Sequence, residues 1–166
     1  MTTDDRPEPP YLGDETGTLA GFLDFHRATL LWKIEGLDDE QLRRPMVPSG
    51  TSLLGMVKHL AYVERWWFQQ VWAGERPGYP WTDDDPDADW RIEPEETTEQ
   101  VLALYQQECD RSREIVAAAS SLDDLAHHPR RQLSRRWILV HMIEETARHN
   151  GQADILREQL DGVTGE

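Results

Sequence analysis

The sequence predicts an all-α protein, a four-helix bundle. Three features point there. Four long segments carry apolar residues at three-to-four spacing, no stretch alternates in the manner of a strand, and capping residues stand where the segments begin. A length of 166 residues suits one domain with one core. We divide the chain into a flexible, acidic N-terminal arm over residues 1–15 and a bundle domain over residues 16–162.

Helix one is expected from Thr16, with Leu19, Phe22, Leu23, His26, Leu30 and Ile34 on one stripe and Gly36 closing it. An acidic link over 37–42 leads to Pro45 and Pro48, which break any continuation. Residues 49–52 (Ser49, Gly50, Thr51, Ser52) supply N-cap chemistry for helix two. That helix carries Leu53, Met56, Val57, Leu60, Val63, Trp66, Trp67 and Val71, and ends near Gly74. Residues 75–94 have no usable period, four Pro and five Asp, and form a long loop of the kind that tends to be functional or mobile. Thr97 and Gln100 fit a capping box for helix three, which runs to about Ala119. Helix four is expected from Ser134 to about Leu160, before Gly162. The long loop implies one connection that is no tight hairpin, in a bundle of antiparallel type.

Charge narrows the partners. The net charge is −15, from 32 acidic and 17 basic residues. A phosphate-binding surface needs a basic face, so nucleic acid and anionic membranes are excluded as expected partners. No stretch approaches the length of an apolar span. One cysteine, Cys109, cannot form an internal disulfide, and the polar start does not read as a signal peptide. A cytoplasmic location is therefore expected. Only Lys33 and Lys58 are lysines among the basic residues, an Arg bias that suggests a GC-rich genome.

The chemistry concentrates on helix four. At about 100° per residue, His141, Glu145, His149 and Gln152 fall within an arc of roughly 80°, together with Ile138 and Leu156. Polar groups therefore project from the stripe that faces the core, where burial is costly unless they are bonded. Glu145 stands four residues from each His, and i, i+4 side chains can meet on one ion. The two His lie about 12 Å apart along the axis, so one ion takes Glu145 with one of them. A third ligand must come from elsewhere, and His59, on the apolar face of helix two with Met56, Val63 and Trp66, is the candidate. Three protein ligands with open positions make a reactive site rather than a closed structural one.

These stretches resemble the DinB-like superfamily, which includes thiol-dependent transferases, mycothiol-dependent isomerase and actinobacterial members of uncharacterised function. The matching segments are residues 36–42, residues 49–67 from Ser49 through His59 and Glu64 to Trp67, and residues 141–157. The resemblance covers roughly residues 19–160. It implies a four-helix bundle, commonly a homodimer, with a divalent metal held by a His of helix two and two residues four apart on helix four. Mapped by motif these are His59, Glu145 and His149, with residues 150–152 matching the segment after the last ligand. Many members carry His where this chain has Glu145; the mycothiol-dependent isomerase pattern has Glu. That difference leaves His141 as an alternative ligand. Glu64 matches a position often acidic in this branch, and either supports the site from behind or pairs with Arg65 or Arg148. Gln152 is a second supporting residue. Zinc is favoured for imidazole and carboxylate ligands, with nickel next.

Other features are weaker. Asp85, Asp87, Asp89 and Glu96 have the spacing of a calcium loop, but Trp90 occupies the sixth position, where the turn needs Gly. We read the segment as a solvated acidic loop that flanks the site entrance, held to the bundle by Trp81 or Trp90. His26 reads as a core residue and His127 and His128 as surface residues. Nothing near Cys109 in the sequence would activate it as a nucleophile.

The function expected from all this is metal-dependent activation of a small, mycothiol-like thiol for transfer to an electrophile. The alternatives are a non-catalytic metal-binding or interaction bundle and a metal-assisted hydrolase, because the same open site would generate hydroxide. Seven Trp exceed what one small core readily hides, which agrees with the homodimer that the resemblance implies.

Overall fold

The computed structural model describes residues 5–165. Their secondary structure is helical, with four long helices and one short one: α1 (Glu15–Ile34), α2 (Asp39–Arg43), α3 (Leu53–Glu64), α4 (Thr98–Ala117) and α5 (Arg135–Asp161). No strand occurs among the described residues. Each long helix starts on a side-chain cap: Asp14 accepts from the Gly17 amide, Ser52 from Gly55, Thr97 from Gln100 and Ser134 from Trp137. The Thr97–Gln100 capping box is present as expected. Gly36 and Gly162 both have φ of +78°, which lets the backbone turn away from α1 and α5.

Two local features depart from the sequence reading. The acidic link contains α2, whose own capping box joins Asp38 and Gln41; five residues are too short to show a period. Helix two changes register after Glu64, where residues Arg65–Trp72 form a π-helix. Four of those eight residues are large aromatics. In the wider register Trp67 meets α5, Trp66 meets Tyr79 of the loop, and Arg65 and Gln69 both reach Glu108 on α4.

Side-chain pairs fix the helix directions. Glu15–Arg136, the His26 carbonyl with Asn150, and Lys33–Asp154 run in the same order along α1 and α5, so these two helices are parallel. Lys58 of α3 pairs with Glu96, just before α4, and Arg65 of the π-helix pairs with Glu108 of α4, so helix two and α4 run parallel in the same way. His59 meets Glu145 while Trp67 meets Trp137, so α3 opposes α5. The bundle is thus two parallel pairs set against each other, with the 73–97 segment carrying the chain back along its length. That is what the absence of a tight hairpin between helices two and three means, and it sets the helix order within the bundle.

The core divides into two clusters. One gathers Leu30, Leu53, Leu54, Met56, Leu60, Tyr105 and Leu156; the other gathers Leu23, Phe68, Trp72, Ile138, Leu139 and Met142. The expected flexible arm falls partly on residues 1–4, outside the described residues. Beyond them, Arg6 lies over the Phe25 and Trp32 rings and donates to Thr29 Oγ1, and Pro9 and Pro10 abut Gly21.

Candidate metal centre

α3 and α5 face each other at His59, Glu145 and His149. One ligand atom from each lies within 4.8 Å of the other two. Nε2 of His149 is 3.2 Å from Glu145 Oε1, and Nε2 of His59 is 4.0 Å from the same oxygen. Two ligands on one tetrahedral zinc ion, with bonds of about 2.0–2.1 Å, sit roughly 3.3 Å apart. Small inward shifts therefore bring all three atoms to coordinating distance. Two imidazoles and one carboxylate are a donor set that a zinc-type divalent ion accepts. The His149 side chain is 5 % exposed, while those of His59 and Glu145 are 16 % and 17 % exposed, so solvent touches the cluster from the side of His59 and Glu145.

The outer nitrogens are held as well. Nδ1 of His149 is 2.9 Å from Gln152 Oε1, one turn along α5. Nδ1 of His59 is 2.7 Å from Asp89 Oδ2. Each Nδ1–H is donated outward, so each Nε2 faces the cluster and is the atom that a cation would take on displacing its proton. Burial alone would depress the His59 pKa, but the hydrogen bond to Asp89 and the nearby Glu145 carboxylate outweigh it and the net shift is upward. The hydrogen bond from His149, with His59 close by, holds the Glu145 carboxyl far below its usual range.

Other singled-out residues sit apart from this cluster. His141 stacks on Trp137 with ring centroids 4.9 Å apart and meets the edge of Trp67 at 4.6 Å. Glu64 is buried and receives two hydrogen bonds from Arg27, rather than pairing with Arg65 or Arg148. His127 is exposed, whereas His128 stacks at 6.1 Å on Trp67. Of the four carboxylates with calcium-loop spacing, three have protein partners: Asp85 pairs with Arg91, Asp89 with His59 and Glu96 with Lys58.

The sequence reading missed Asp89, since one carboxylate among five looks like the rest. Yet Asp89 is only 6 % exposed and the next residue, Trp90, stacks on His59 at 3.9 Å with an interplanar angle of 16°. The expectation that a loop Trp anchors this segment against the bundle was a signal pointing to the right place. Trp81 also packs, on Tyr79 and Tyr62.

The model of one family, mycothiol-S-transferase, matches residues 18–162. The chain belongs to the mycothiol-S-transferase family. The match takes in all four long helices but for the first turn of α1, and so both sides of the His59, Glu145 and His149 cluster. It agrees with the DinB-like resemblance of the sequence, since this family is DinB-like. Comparison with curated proteins gives no match. For a mycothiol-S-transferase relative, the arrangement can do one thing readily: hold a cation on two neutral imidazoles and a carboxylate.

Proposed function

We propose that this protein is a divalent-metal-dependent transferase that activates a small thiol of the mycothiol type and passes it to an electrophile. The observation that carries the reading is the meeting of His59, Glu145 and His149 on facing helices of a mycothiol-S-transferase relative. We assign these three as metal ligands. Zinc is the favoured ion and nickel the next, from the donor set. Such an ion, when bound, supplies Lewis acidity that lowers the pKa of a thiol reaching it.

The chain's own residues do the rest. Glu145 offsets part of the ion's charge, and Gln152 fixes the ring of His149 so that Nε2 faces inward. Trp90 closes one flank of His59 against water. The thiol would approach from the side of the cluster that solvent reaches and would give up its proton to water as its sulfur bonds to the electrophile. The test is transfer of a small thiol to a model electrophile by metal-loaded protein, with activity falling at least ~100-fold in His59→Ala. Full activity in that variant would overturn the reading.

The same proposal includes a homodimer in the cytoplasm. Supporting it are Phe22, Trp137, Val140 and Ile155, large apolar residues left exposed on α1 and α5, and the reducing conditions a thiol substrate needs. No helix among the described residues is long and apolar enough to cross a membrane. Sedimentation at micromolar concentration distinguishes a dimer from a 19.2 kDa monomer.

A further inference from the structure

We propose that Asp89 is a positioning residue of the metal centre, and that docking of its loop on α3 sets the affinity for the ion. The inference rests on the metal reading above and adds a part that lies outside the helices. Asp89 stands thirty residues from His59 in sequence, and its Oδ2 takes Nδ1 of that ring at 2.7 Å. Asp89 is buried, so the carboxylate has left water for this contact. A histidine whose Nδ1–H is donated to a carboxylate has its tautomer and ring plane set, and its Nε2 is made a stronger donor.

The loop reaches this place by a built contact surface on α3. Gly55 lies one turn before His59, and a Cβ there would come within 2.3 Å of the Trp90 carbonyl oxygen. Only a glycine lets the loop backbone lie so close to the helix. Three residues on, buried Lys58 donates to the Arg91 carbonyl at 2.7 Å and to Glu96 Oε2 at 2.8 Å. Gly55, Lys58 and His59 therefore share one face of α3, and among them they hold residues 89–91. Trp90 completes the grip, stacking on His59 and standing 5.4 Å from the His149 ring. A loop anchored only for stability would not need its buried carboxylate on the back of an imidazole that faces the cluster.

The test is zinc titration of the full chain against a competing chelator, with the cobalt(II) visible spectrum as a second readout. Asp89→Asn keeps size and one acceptor but loses the charge, and it should weaken zinc binding about 10–100-fold and shift the cobalt spectrum. Gly55→Ala should weaken zinc binding as well, although Ala is the better helix former, because it lifts the loop. Asp85→Asn, which touches Arg91 on the outside, should stay within about twofold of the parent, as exposed pairs contribute little. Asp89→Asn with zinc affinity and cobalt spectrum like the parent's would overturn the inference. A parent protein that binds neither ion would instead overturn the metal reading on which it rests. Should Gly55→Ala fail to fold, Asp89→Asn alone decides the matter.

Discussion

Arg27 donates from Nε and Nη2 to the two carboxylate oxygens of Glu64, at 2.7 and 2.6 Å, in the buried middle of the bundle. Glu64 is the last residue of α3 before the π register begins, so this pair ties α1 to the point where the backbone changes pitch. Arg27 also holds Asp24, which accepts from Arg113 on α4. Three helices are thus joined through one guanidinium. Removing one partner of such a pair leaves an uncompensated buried charge. Glu64→Ala should cost about 3–5 kcal/mol in denaturant unfolding, while the double change Arg27→Met with Glu64→Leu should cost much less. A loss below about 1 kcal/mol for Glu64→Ala would show that water reaches Arg27.

Metal analysis should find close to one divalent ion per chain after purification, and His59→Ala, Glu145→Ala and His149→Ala should each lower that content sharply. His141→Ala should keep it. The His141 ring lies between Trp67 and Trp137, one turn above Glu145 and outside the cluster. If His141→Ala lost the ion and His149→Ala kept it, Glu145 would be working with the upper histidine instead.

How much of this was legible beforehand depends on sequence distance. His141, Glu145, His149 and Gln152 lie on one helix, so the 3.6-residue period alone places them on one stripe. His59 needed a second helix, and its apolar neighbours gave its direction. The capping box at Thr97 was readable because it is a local motif. Asp89 was not readable, because a loop has no period and its register on α3 depends on Gly55 and Lys58, more than thirty residues away in sequence for each of their contacts. The π register after Glu64 escaped for a related reason. Apolar spacing at Val63, Trp66, Trp67 and Val71 fits an α-helix, and only packing against α4, α5 and the loop selects the wider turn.

The remaining aspartates of the loop should be dispensable for the metal. Asp83, Asp84 and Asp87 are exposed, and Asp85 is taken up by Arg91. Changing all four to Asn should leave zinc content at neutral pH unchanged, and calorimetry with calcium should give no saturable heat. Loss of zinc on that change would mean that these aspartates hold the loop down by themselves. Saturable calcium binding by the parent, lost in the variant, would mean that Asp85 and Glu96 leave Arg91 and Lys58 for an ion.

Cys109 offers the clearest prediction with pH. It sits on α4 with 3 % exposure, and burial, reinforced by the nearby Glu64 carboxylate, pushes its thiol well above the ordinary value. Arg27 pulls the other way but does not prevail. A raised thiol pKa means that the neutral form persists as pH rises, so the thiolate fraction stays negligible at pH 7 and still small at pH 9. Native protein should therefore react with an aromatic disulfide reagent at a rate far below that of a free thiol across this range, and should react fully once denatured. Under the proposed function, the reacting thiol is then the substrate's and not that of Cys109. Rapid labelling of the native protein near pH 7, with Cys109 as the modified residue, would place a thiolate in the core beside Glu64 and would make the chain itself a candidate nucleophile.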